Sequence, residues 1–197
     1  MSNIFEFDGF RPVIDESSFI HPNASIIGNV IIGKNCYIGP GCSLRGDFGG
    51  IEVGDGCNIQ DNCTVHMFPG VIVKLYEDAH IGHGAIIHGA EIGKNVMVGM
   101  NAVVMDEAVV GESSIIGALC FVPTGMIIPG RKVAVGNPAK IIKDVTDEML
   151  KWKSQGTRLY QKMAAESINT QKPCEPLRKI PETKKLQEIK HNIWKKS

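Results

Sequence analysis

Leucine is scarce in this sequence, whose 197 residues include 7 Leu against 25 Ile and 16 Val. Leucine favours helices, whereas the branched side chains of Ile and Val restrict χ1 and fit a pleated surface. The composition therefore argues against a helical bundle. Together with 22 glycines, it indicates many short strands separated by turns, in a chain whose length suits one domain with a short appendage.

A surplus of charge is also absent, since 21 basic residues balance 21 acidic ones. This balance gives no reason to expect nucleic acid or a membrane surface as a partner. The first ten residues do not contain a basic segment followed by an apolar one. No run of about 18 apolar residues occurs anywhere in the chain, so no membrane span is expected. We therefore expect a cytoplasmic protein.

An aliphatic residue recurs every six positions from Ile20 onward and defines 17 hexapeptide units. The second residue of a unit is often glycine, and the fifth is small. A period of six with these preferences is typical of a left-handed parallel β-helix, in which three units form one triangular coil around an aliphatic core. We therefore predict an all-β fold of this kind. The aliphatic positions are Ile20, Ile26, Ile32, Ile38, Leu44, Val53, Ile59, Val65, Leu75, Ile81, Ile87, Ile92, Val98, Val104, Val110, Ile116 and Val122.

The six cysteines contain no C-x-x-C spacing, which disfavours the usual cysteine zinc cluster. Five of them occupy the small fifth position of a hexapeptide, where a side chain packs near a corner of the coil. Cysteine behaves there as a small hydrophobic residue. We predict that these five are buried packing residues, namely Cys36, Cys42, Cys57, Cys63 and Cys120.

The repeat is predicted to end after Val122, because Pro129-Gly130 and the segment GNPAK (136–140) interrupt it. Earlier in the chain the period slips between Val65 and Leu75, which predicts a protruding loop at 67–74. Pro and Gly are the residues that most often mark such turns and boundaries.

A single amphipathic helix is predicted after the repeat. Thr146 suits its N-cap, and Asp147 and Glu148 complement the helix dipole in the first turn. The apolar pattern extends to about Met163. The chain is thus divided into a β-helix domain (1–143), a C-terminal helix (144–165) and a basic extended tail (166–197).

Counting hexapeptides assigns each unit to one of three faces, which we name a, b and c in order, beginning with Ile20 on face a. His66 and His88 each follow a core position of face b, and they belong to successive coils. They should therefore stack about one strand spacing apart, roughly 4.8 Å. Two imidazoles at that separation can share one metal ion.

His83 falls on face a, so a single chain should not bring it to the same metal ion. The pattern is consistent if face b of one subunit meets face a of the next in a ring of three. The resulting site has three imidazoles and an open fourth position, as catalytic zinc requires. We therefore predict a homotrimer with interfacial metal sites. His21 and His80 are expected to be structural or solvated, His80 at a corner.

Other polar side chains depart from the repeat on the same two faces: Arg45 and Asp47 on face b, and Gln60 and Asp61 on face a. Arg45 and Asp61 could serve the site or form only an ion pair across the interface. Gln60 has two N–H donors that could orient a water molecule or a substrate carbonyl, or bond to a neighbouring coil.

Three segments, RGD (45–47), NIQDNCTVH (58–66) and IGHGAIIHG (81–89), resemble the signature of the γ-class carbonic anhydrase-like hexapeptide-repeat family. The resemblance implies a site shared between subunits and occupied by zinc, with iron or cobalt as other metals that suit three imidazoles. It implies the metal ligands His66, His83 and His88 and the catalytic positions Arg45, Asp47, Gln60 and Asp61.

The segments LRGDFG (44–49), WKSQGTRLYQ (152–161) and EPLRKI (175–180) resemble the PaaY subgroup of phenylacetate degradation, with CaiE of the carnitine operon as a sibling. This likeness implies a metal-dependent thioesterase that hydrolyses CoA thioesters, with CO2 hydration as the alternative. A CoA-dependent acyltransferase and a non-catalytic accessory subunit are further alternatives. Phe48 stands where γ-class carbonic anhydrases carry an acid, and 67–74 contain no acid, so a fast proton relay to solvent is disfavoured. The apolar side chains of that loop suit a larger substrate.

Overall fold

A computed structural model describes residues 3–182, 191, 192 and 194 of the chain. These residues form a parallel β-helix of seven coils, followed by one α-helix. The hexapeptide repeats fit the predicted left-handed form of this fold. No helix in the described ranges is long and apolar enough to cross a membrane.

Most of the strands are only two or three residues long, because each hexapeptide supplies one strand and one corner. In chain order they are β1 Asn3–Phe5, β2 Val13–Ile14, β3 Phe19–Ile20, β4 Ser25–Ile32, β5 Tyr37–Ile38, β6 Ser43–Val53, β7 Asn58–Ile59, β8 Thr64–His66, β9 Ile72–Leu75, β10 His80–Ile81, β11 Ile86–His88, β12 Glu91–Ile92, β13 Met97–Val98, β14 Val103–Val104, β15 Val109–Val110, β16 Ile115–Ile116, β17 Phe121–Val122, β18 Ile127–Ile128, β19 Lys132–Val135 and β20 Lys140–Asp144.

The strand pairing confirms the three predicted faces. Face a is the sheet ordered β3-β5-β7-β10-β13-β16-β19, with β20 antiparallel at its end. Face b is the ladder from β4 through β6, β8, β11 and β14 to β17. Face c continues from the same long strands through β9, β12 and β15 to β18. Faces b and c form one sheet, because β4 and β6 each run from one face to the next.

The core contains every predicted aliphatic position except Ile20, which is only partly buried against it. The five corner cysteines are buried, as predicted, and Cys174 in the tail is exposed. The Sγ–H of Cys63 donates to the carbonyl of Gly82 on the next coil at 3.1 Å. Burial raises the pKa of Cys36 to about 11. The Cys36 thiol therefore remains protonated at neutral pH and acts as a packing residue, not as a nucleophile or metal ligand.

The predicted end of the repeat after Val122 is wrong. Ile128 and Ala134 continue the core at the same six-residue interval, and Ile14 in β2 extends the ladder at its start. Pro129 and Gly130 do not stop the coil because they lie in the turn between β18 and β19, where a missing N–H breaks no ladder bond.

The predicted loop at 67–74 is shorter than expected, since β9 already begins at Ile72. The N–H of Gly70 donates to the carbonyl of Phe48 at 2.8 Å and ties the segment to the strand below. Met67 is buried in the core, whereas Phe68 and Ile72 are exposed. Fewer apolar side chains therefore face outward than the sequence suggested.

The helix, α1, spans Asp147–Thr170. Its predicted N-cap is confirmed, because Thr146 Oγ1 accepts a hydrogen bond from the N–H of Met149 at 3.2 Å. The helix continues beyond the predicted 165 to Thr170, and its Ala164 packs against Phe19 and Tyr37. Residues 171–182 contain no regular structure. The remainder of the predicted tail, at 183–190, 193 and 195–197, lies outside the described residues.

A buried lysine anchors this helix to the corners of the β-helix. Nζ of Lys153 donates to the carbonyl of Asp78 and to Oδ1 of Asn95, both at 2.6 Å. Burial lowers the pKa of Lys153 to about 8. Gln161 adds a second attachment through its Nε2, which donates to Oδ1 of Asp78 at 2.9 Å. These bonds fix α1 along face a.

Candidate functional site

His66 and His88 lie on the neighbouring strands β8 and β11 of face b. The register pairs the two residues directly, which confirms the stacking predicted from the hexapeptide count. Nδ1 of His66 lies 3.3 Å from Nε2 of His88, and the ring centroids are 5.4 Å apart. Each ring therefore presents one nitrogen toward the same point.

This separation fits two ligands of one tetrahedral metal ion. Imidazole nitrogens bind zinc at about 2.0–2.1 Å, which places two of them roughly 3.3–3.4 Å apart at a tetrahedral angle. The observed 3.3 Å between the two nitrogens matches this geometry. Among the described residues of the single chain, no group of three His, Cys, Asp or Glu side chains could hold a metal ion. A complete site therefore needs a further ligand.

The second nitrogen of each imidazole faces a carboxylate. Nε2 of His66 lies 3.0 Å from Oδ1 of Asp47, and Nδ1 of His88 lies 2.8 Å from Oδ1 of Asp106. A carboxylate in this position fixes the tautomer and orientation of a metal-binding imidazole. Asp106 was not among the predicted site residues. The repeat gave one signal for it, since β14, directly above β11, ends two residues before Asp106, but the hexapeptide count does not determine where the Asp106 side chain points.

Arg45 holds the Asp47 carboxylate from its other side, through Nη1 at 2.6 Å from Oδ2. Burial alone would raise the pKa of Asp47, but the hydrogen bonds from Arg45 and His66 outweigh it and lower that pKa. Asp47 is therefore a carboxylate at neutral pH. Its charge favours the His66 tautomer with the proton on Nε2, which leaves Nδ1 free to bind a metal ion.

His83 and Asp61 form a separate pair on face a. Nδ1 of His83 lies 2.8 Å from Oδ2 of Asp61, and 47% of the His83 side chain is exposed. Asp61 thus holds His83 as Asp47 and Asp106 hold the other two imidazoles. Within one chain Arg45 pairs with Asp47, so the hypothesis of an Arg45–Asp61 ion pair concerns only contacts between subunits.

Gln60 is buried on face a, with 3% of its surface exposed. Its Nε2 donates to Oδ1 of Asn58 at 2.9 Å and lies 2.7 Å from Nε2 of His80. Both N–H donors therefore point to neighbours inside the chain, and His80 lies on the next coil, so the structure shows the second of the two alternatives for Gln60, a bond to a neighbouring coil. His80 lies in β10, rather than at a corner, and contacts this site residue directly.

A groove of about 670 Å³ runs between face a and α1. Gln60 and His83 lie in its wall on the β-helix side, next to the strands that carry them. The groove therefore adds a largely apolar space beside two of the predicted site residues. Its apolar lining includes Met97, Met100, Trp152, Leu159, Tyr160 and Met163.

Two phenylalanines flank the paired imidazoles on face b. The ring of Phe48 lies 5.5 Å from that of His66, and the ring of Phe68 meets that of His88 edge-on at 5.2 Å. Both are exposed, with 53% and 61% of their surface accessible. The approach to the imidazoles is therefore apolar on this side.

Sequence profiles of two hexapeptide families match the chain. The family described as bacterial transferase hexapeptide (six repeats) matches residues 11–46 and 89–124, and the hexapeptide repeat of succinyl-transferase matches residues 29–66. The matched ranges include His66 and follow the strands of the coil. They agree with the repeat that builds the fold.

Curated and solved relatives cover nearly the whole chain. The carnitine operon protein CaiE of Citrobacter koseri is 42% identical over 94% of this chain and 96% of its own length. A hexapeptide transferase family protein from Anaplasma phagocytophilum is 37% identical, with a TM-score of 0.79 over 82% of this chain and 95% of that one. A Bacillus cereus protein named as a candidate acetyltransferase is 33% identical, with a TM-score of 0.85 over 86% and 100% of the two chains.

Proposed function

The chain belongs to the hexapeptide-repeat transferase family that includes the carnitine operon protein CaiE, and we propose that it is a metal-dependent thioesterase of the PaaY type that hydrolyses CoA thioesters. The observation that carries this proposal is the convergence of His66 and His88 at 3.3 Å, each backed by a carboxylate. Zinc is the proposed metal, with iron or cobalt as alternatives for the same imidazoles.

We assign the third ligand to His83 of the partner subunit in a homotrimer. His83 is exposed on face a, while the paired imidazoles lie on face b. Its Nδ1 is held by Asp61 at 2.8 Å, so Nε2 is the nitrogen available to a metal ion. The three imidazoles thus have the same kind of carboxylate support, which favours one common role.

When bound, the metal would supply Lewis acidity and lower the pKa of a water molecule toward about 7. In thioester hydrolysis the water oxygen adds to the carbonyl carbon, the C–S bond breaks, and CoA leaves as a thiol with the proton that water gives up. Asp47 and Asp106 keep the two imidazoles oriented throughout. Arg45 keeps Asp47 in place through the bond at 2.6 Å.

The surroundings favour a substrate larger than CO2. Phe48 and Phe68 cover the approach to the imidazoles with apolar surface. The groove beside His83 offers about 670 Å³ of mostly apolar space, within the range of small-molecule sites. Neither phenylalanine can accept a proton, so these two side chains on the exposed side of the imidazoles do not provide a fast relay to solvent.

CoA-dependent acyl transfer is the second candidate, favoured by the His83–Asp61 pair. An exposed imidazole whose Nδ1 faces a carboxylate at 2.8 Å can act as a general base without a metal ion. Two relatives in this family are named as a transferase family protein and a candidate acetyltransferase. Acyl transfer from CoA that resists metal removal would support this activity.

Metal removal is expected to abolish acyl-CoA hydrolysis. Dialysis against a chelator should lower kcat/KM by at least about two orders of magnitude, because water then loses its activation. Added zinc should restore the rate. The measurement is thiol release from a panel of acyl-CoA substrates, with elemental analysis of each preparation. CO2 hydration should be followed by stopped flow on the same samples.

Each alternative gives a different result in this experiment. Acyl-CoA hydrolysis at the full rate in metal-free protein contradicts the proposal. Fast CO2 hydration without thioester hydrolysis indicates the carbonic anhydrase alternative. A bound metal with neither activity, together with copurifying enzymes, indicates an accessory subunit.

Phe48→Glu is expected to shift the activity away from thioesters. A carboxylate beside His66 removes apolar contact with the acyl group and supplies a proton acceptor, as general acid–base catalysis requires. We expect kcat/KM for an apolar acyl-CoA to fall about 10-fold, which is the lower end of the range for loss of an apolar contact with a substrate. The rate of CO2 hydration should rise. Phe48→Leu is the matched control and should retain most thioesterase activity. Equal effects of the two variants on both reactions would contradict this interpretation.

A further inference from the structure

His80 contacts Gln60 from one side and the C-terminal helix from the other. Its Nε2 lies 2.7 Å from Nε2 of Gln60, and its Nδ1 lies 3.5 Å from Oγ1 of Thr157 on α1. Its ring meets that of Tyr160 edge-on at 5.5 Å. Gln60 and Thr157 are both almost completely buried. The imidazole is thus fixed between the β-helix and α1.

The donors of Gln60 determine the protonation of His80. One N–H of Gln60 goes to Oδ1 of Asn58 at 2.9 Å, and the other points at Nε2 of His80. An imidazole nitrogen accepts a hydrogen bond only when it carries no proton. Nδ1 of His80 also lies 3.3 Å from Nδ2 of Asn58, but a neutral imidazole accepts a hydrogen bond at only one nitrogen. The shorter contact, with Gln60, assigns the lone pair to Nε2. His80 is therefore neutral, with its proton on Nδ1, on the side of Oγ1 of Thr157. Burial, and next the charge of Lys153, lower the pKa of His80 to about 3, which agrees with a neutral ring.

The same contacts orient the amide oxygen of Gln60. In the described part of the chain, no fully buried side-chain nitrogen or oxygen is without a hydrogen-bond partner. Oε1 of Gln60 makes no hydrogen bond to another described side chain, and Gln60 lines the groove, so this oxygen faces the groove. Rotating the amide would place Oε1 against two acceptors, Oδ1 of Asn58 and the unprotonated Nε2 of His80, at the cost of both hydrogen bonds.

We propose that His80 is a positioning residue that holds the carbonyl oxygen of Gln60 toward the groove, where it accepts a hydrogen bond from the reacting water. This inference rests on the proposed hydrolysis, because it assigns Gln60 a role in orienting that water. Gln60 then contributes an acceptor and not the donors that its side chain offers in isolation. His80 acts only through Gln60 and does not touch substrate.

The first test is a double-mutant cycle on the zinc-loaded protein. His80→Phe keeps an aromatic ring against Tyr160 but removes the acceptor, and it should lower kcat about 10-fold with little change in KM. In the Gln60→Ala background the same substitution should cause no further loss, since its only route to the reaction is gone. His21→Phe is the control, because it makes the same substitution at a histidine that bonds to the N–H of Asn23 and not to Gln60, and it should retain nearly the full kcat.

Thermal unfolding of each variant distinguishes loss of fold from loss of positioning. An unchanged kcat in His80→Phe would overturn the proposal. Equal losses in the wild-type and Gln60→Ala backgrounds would also overturn it, because His80 would then act independently of Gln60.

The second test does not depend on activity. Nitrogen-15 NMR of histidine-labelled, metal-free protein should show His80 protonated only on Nδ1 throughout roughly pH 5 to 8. Gln60→Ala should shift the Nε2 resonance. Protonation of Nε2 would overturn the inference. If the wild-type protein hydrolyses no thioester but shows this tautomer and this shift, the proposed function fails and the His80–Gln60 contact stands.

Discussion

Replacing His83 with alanine is expected to release the metal and to lower acyl-CoA hydrolysis by at least about two orders of magnitude. His83 has 47% of its side chain exposed and pairs with Asp61 at the surface. Its removal takes no atoms from the core, so the chain should fold normally. Metal content, thermal unfolding and kcat/KM of the purified variant check these expectations together.

Mixed trimers provide the sharpest test, because the proposed site takes two ligands from one subunit and one from the next. A His83→Ala chain retains His66 and His88, whereas a His66→Ala chain retains His83. Each variant alone should be metal-free and inactive. Coexpressed with different tags and purified through both, they should form one intact interface in every mixed trimer and regain part of the wild-type activity.

A site contained within one chain predicts a different result. The mixed protein would then remain as inactive as its parents, since each chain carries a defect. Full metal content and activity in His83→Ala alone would likewise exclude His83 as a ligand. The matched control is His21→Ala, because His21 lies in the coils below the site and should leave both metal content and rate unchanged.

The fold could be predicted in detail because its core repeats. Each hexapeptide buries one aliphatic side chain, so a single error of register would expose it. This constraint assigned His66 and His88 to adjacent strands, and the structure pairs them directly. It also placed Cys63 at a buried corner. The same count located Gln60 on face a, although it said nothing about which atoms its amide presents.

The details that the sequence did not reveal depend on contacts outside the repeat. Gly70 is tied to Phe48 by a backbone hydrogen bond, so no side-chain pattern marks the shortened loop. His80 is held by Thr157, whose position depends on how α1 docks. To predict the contact between Asp106 and His88, the rotamer of Asp106 would have to be known as well as its register. An aspartate two residues beyond a core position can adopt several side-chain rotamers.

Asp106→Asn is expected to weaken metal binding about 10–100-fold, the usual effect of removing a carboxylate from a ligand imidazole. Oδ1 and Oδ2 of Asp106 lie 2.8 and 2.9 Å from Nδ1 of His88. Asparagine has nearly the same shape but no charge, so it fixes the tautomer less strongly and leaves His88 a weaker base. A competition titration of zinc against a chelating dye measures the change. Asp144→Asn removes an exposed carboxylate that pairs with Lys132, and it should bind zinc normally.

Gly89→Ala tests the position of the same carboxylate while leaving its charge intact. A Cβ on Gly89 would overlap Oδ1 of Asp106 and push it away from His88. Gly89 has φ of +58°, so alanine also adds backbone strain there. Gly125→Ala separates the two effects, because Gly125 has φ of +69° with open space around its Cβ position. It should share the loss of stability but keep zinc affinity.

The two variants near His88 distinguish charge from placement. Weakened zinc binding in both Asp106→Asn and Gly89→Ala, with normal binding in Gly125→Ala, means that the carboxylate must be both charged and in contact with Nδ1 of His88. Normal zinc affinity in Asp106→Asn would instead show that the hydrogen bond at 2.8 Å does not support a ligand. His88 would then need no carboxylate to bind the metal, and the parallel drawn with Asp47 and Asp61 would lose its basis.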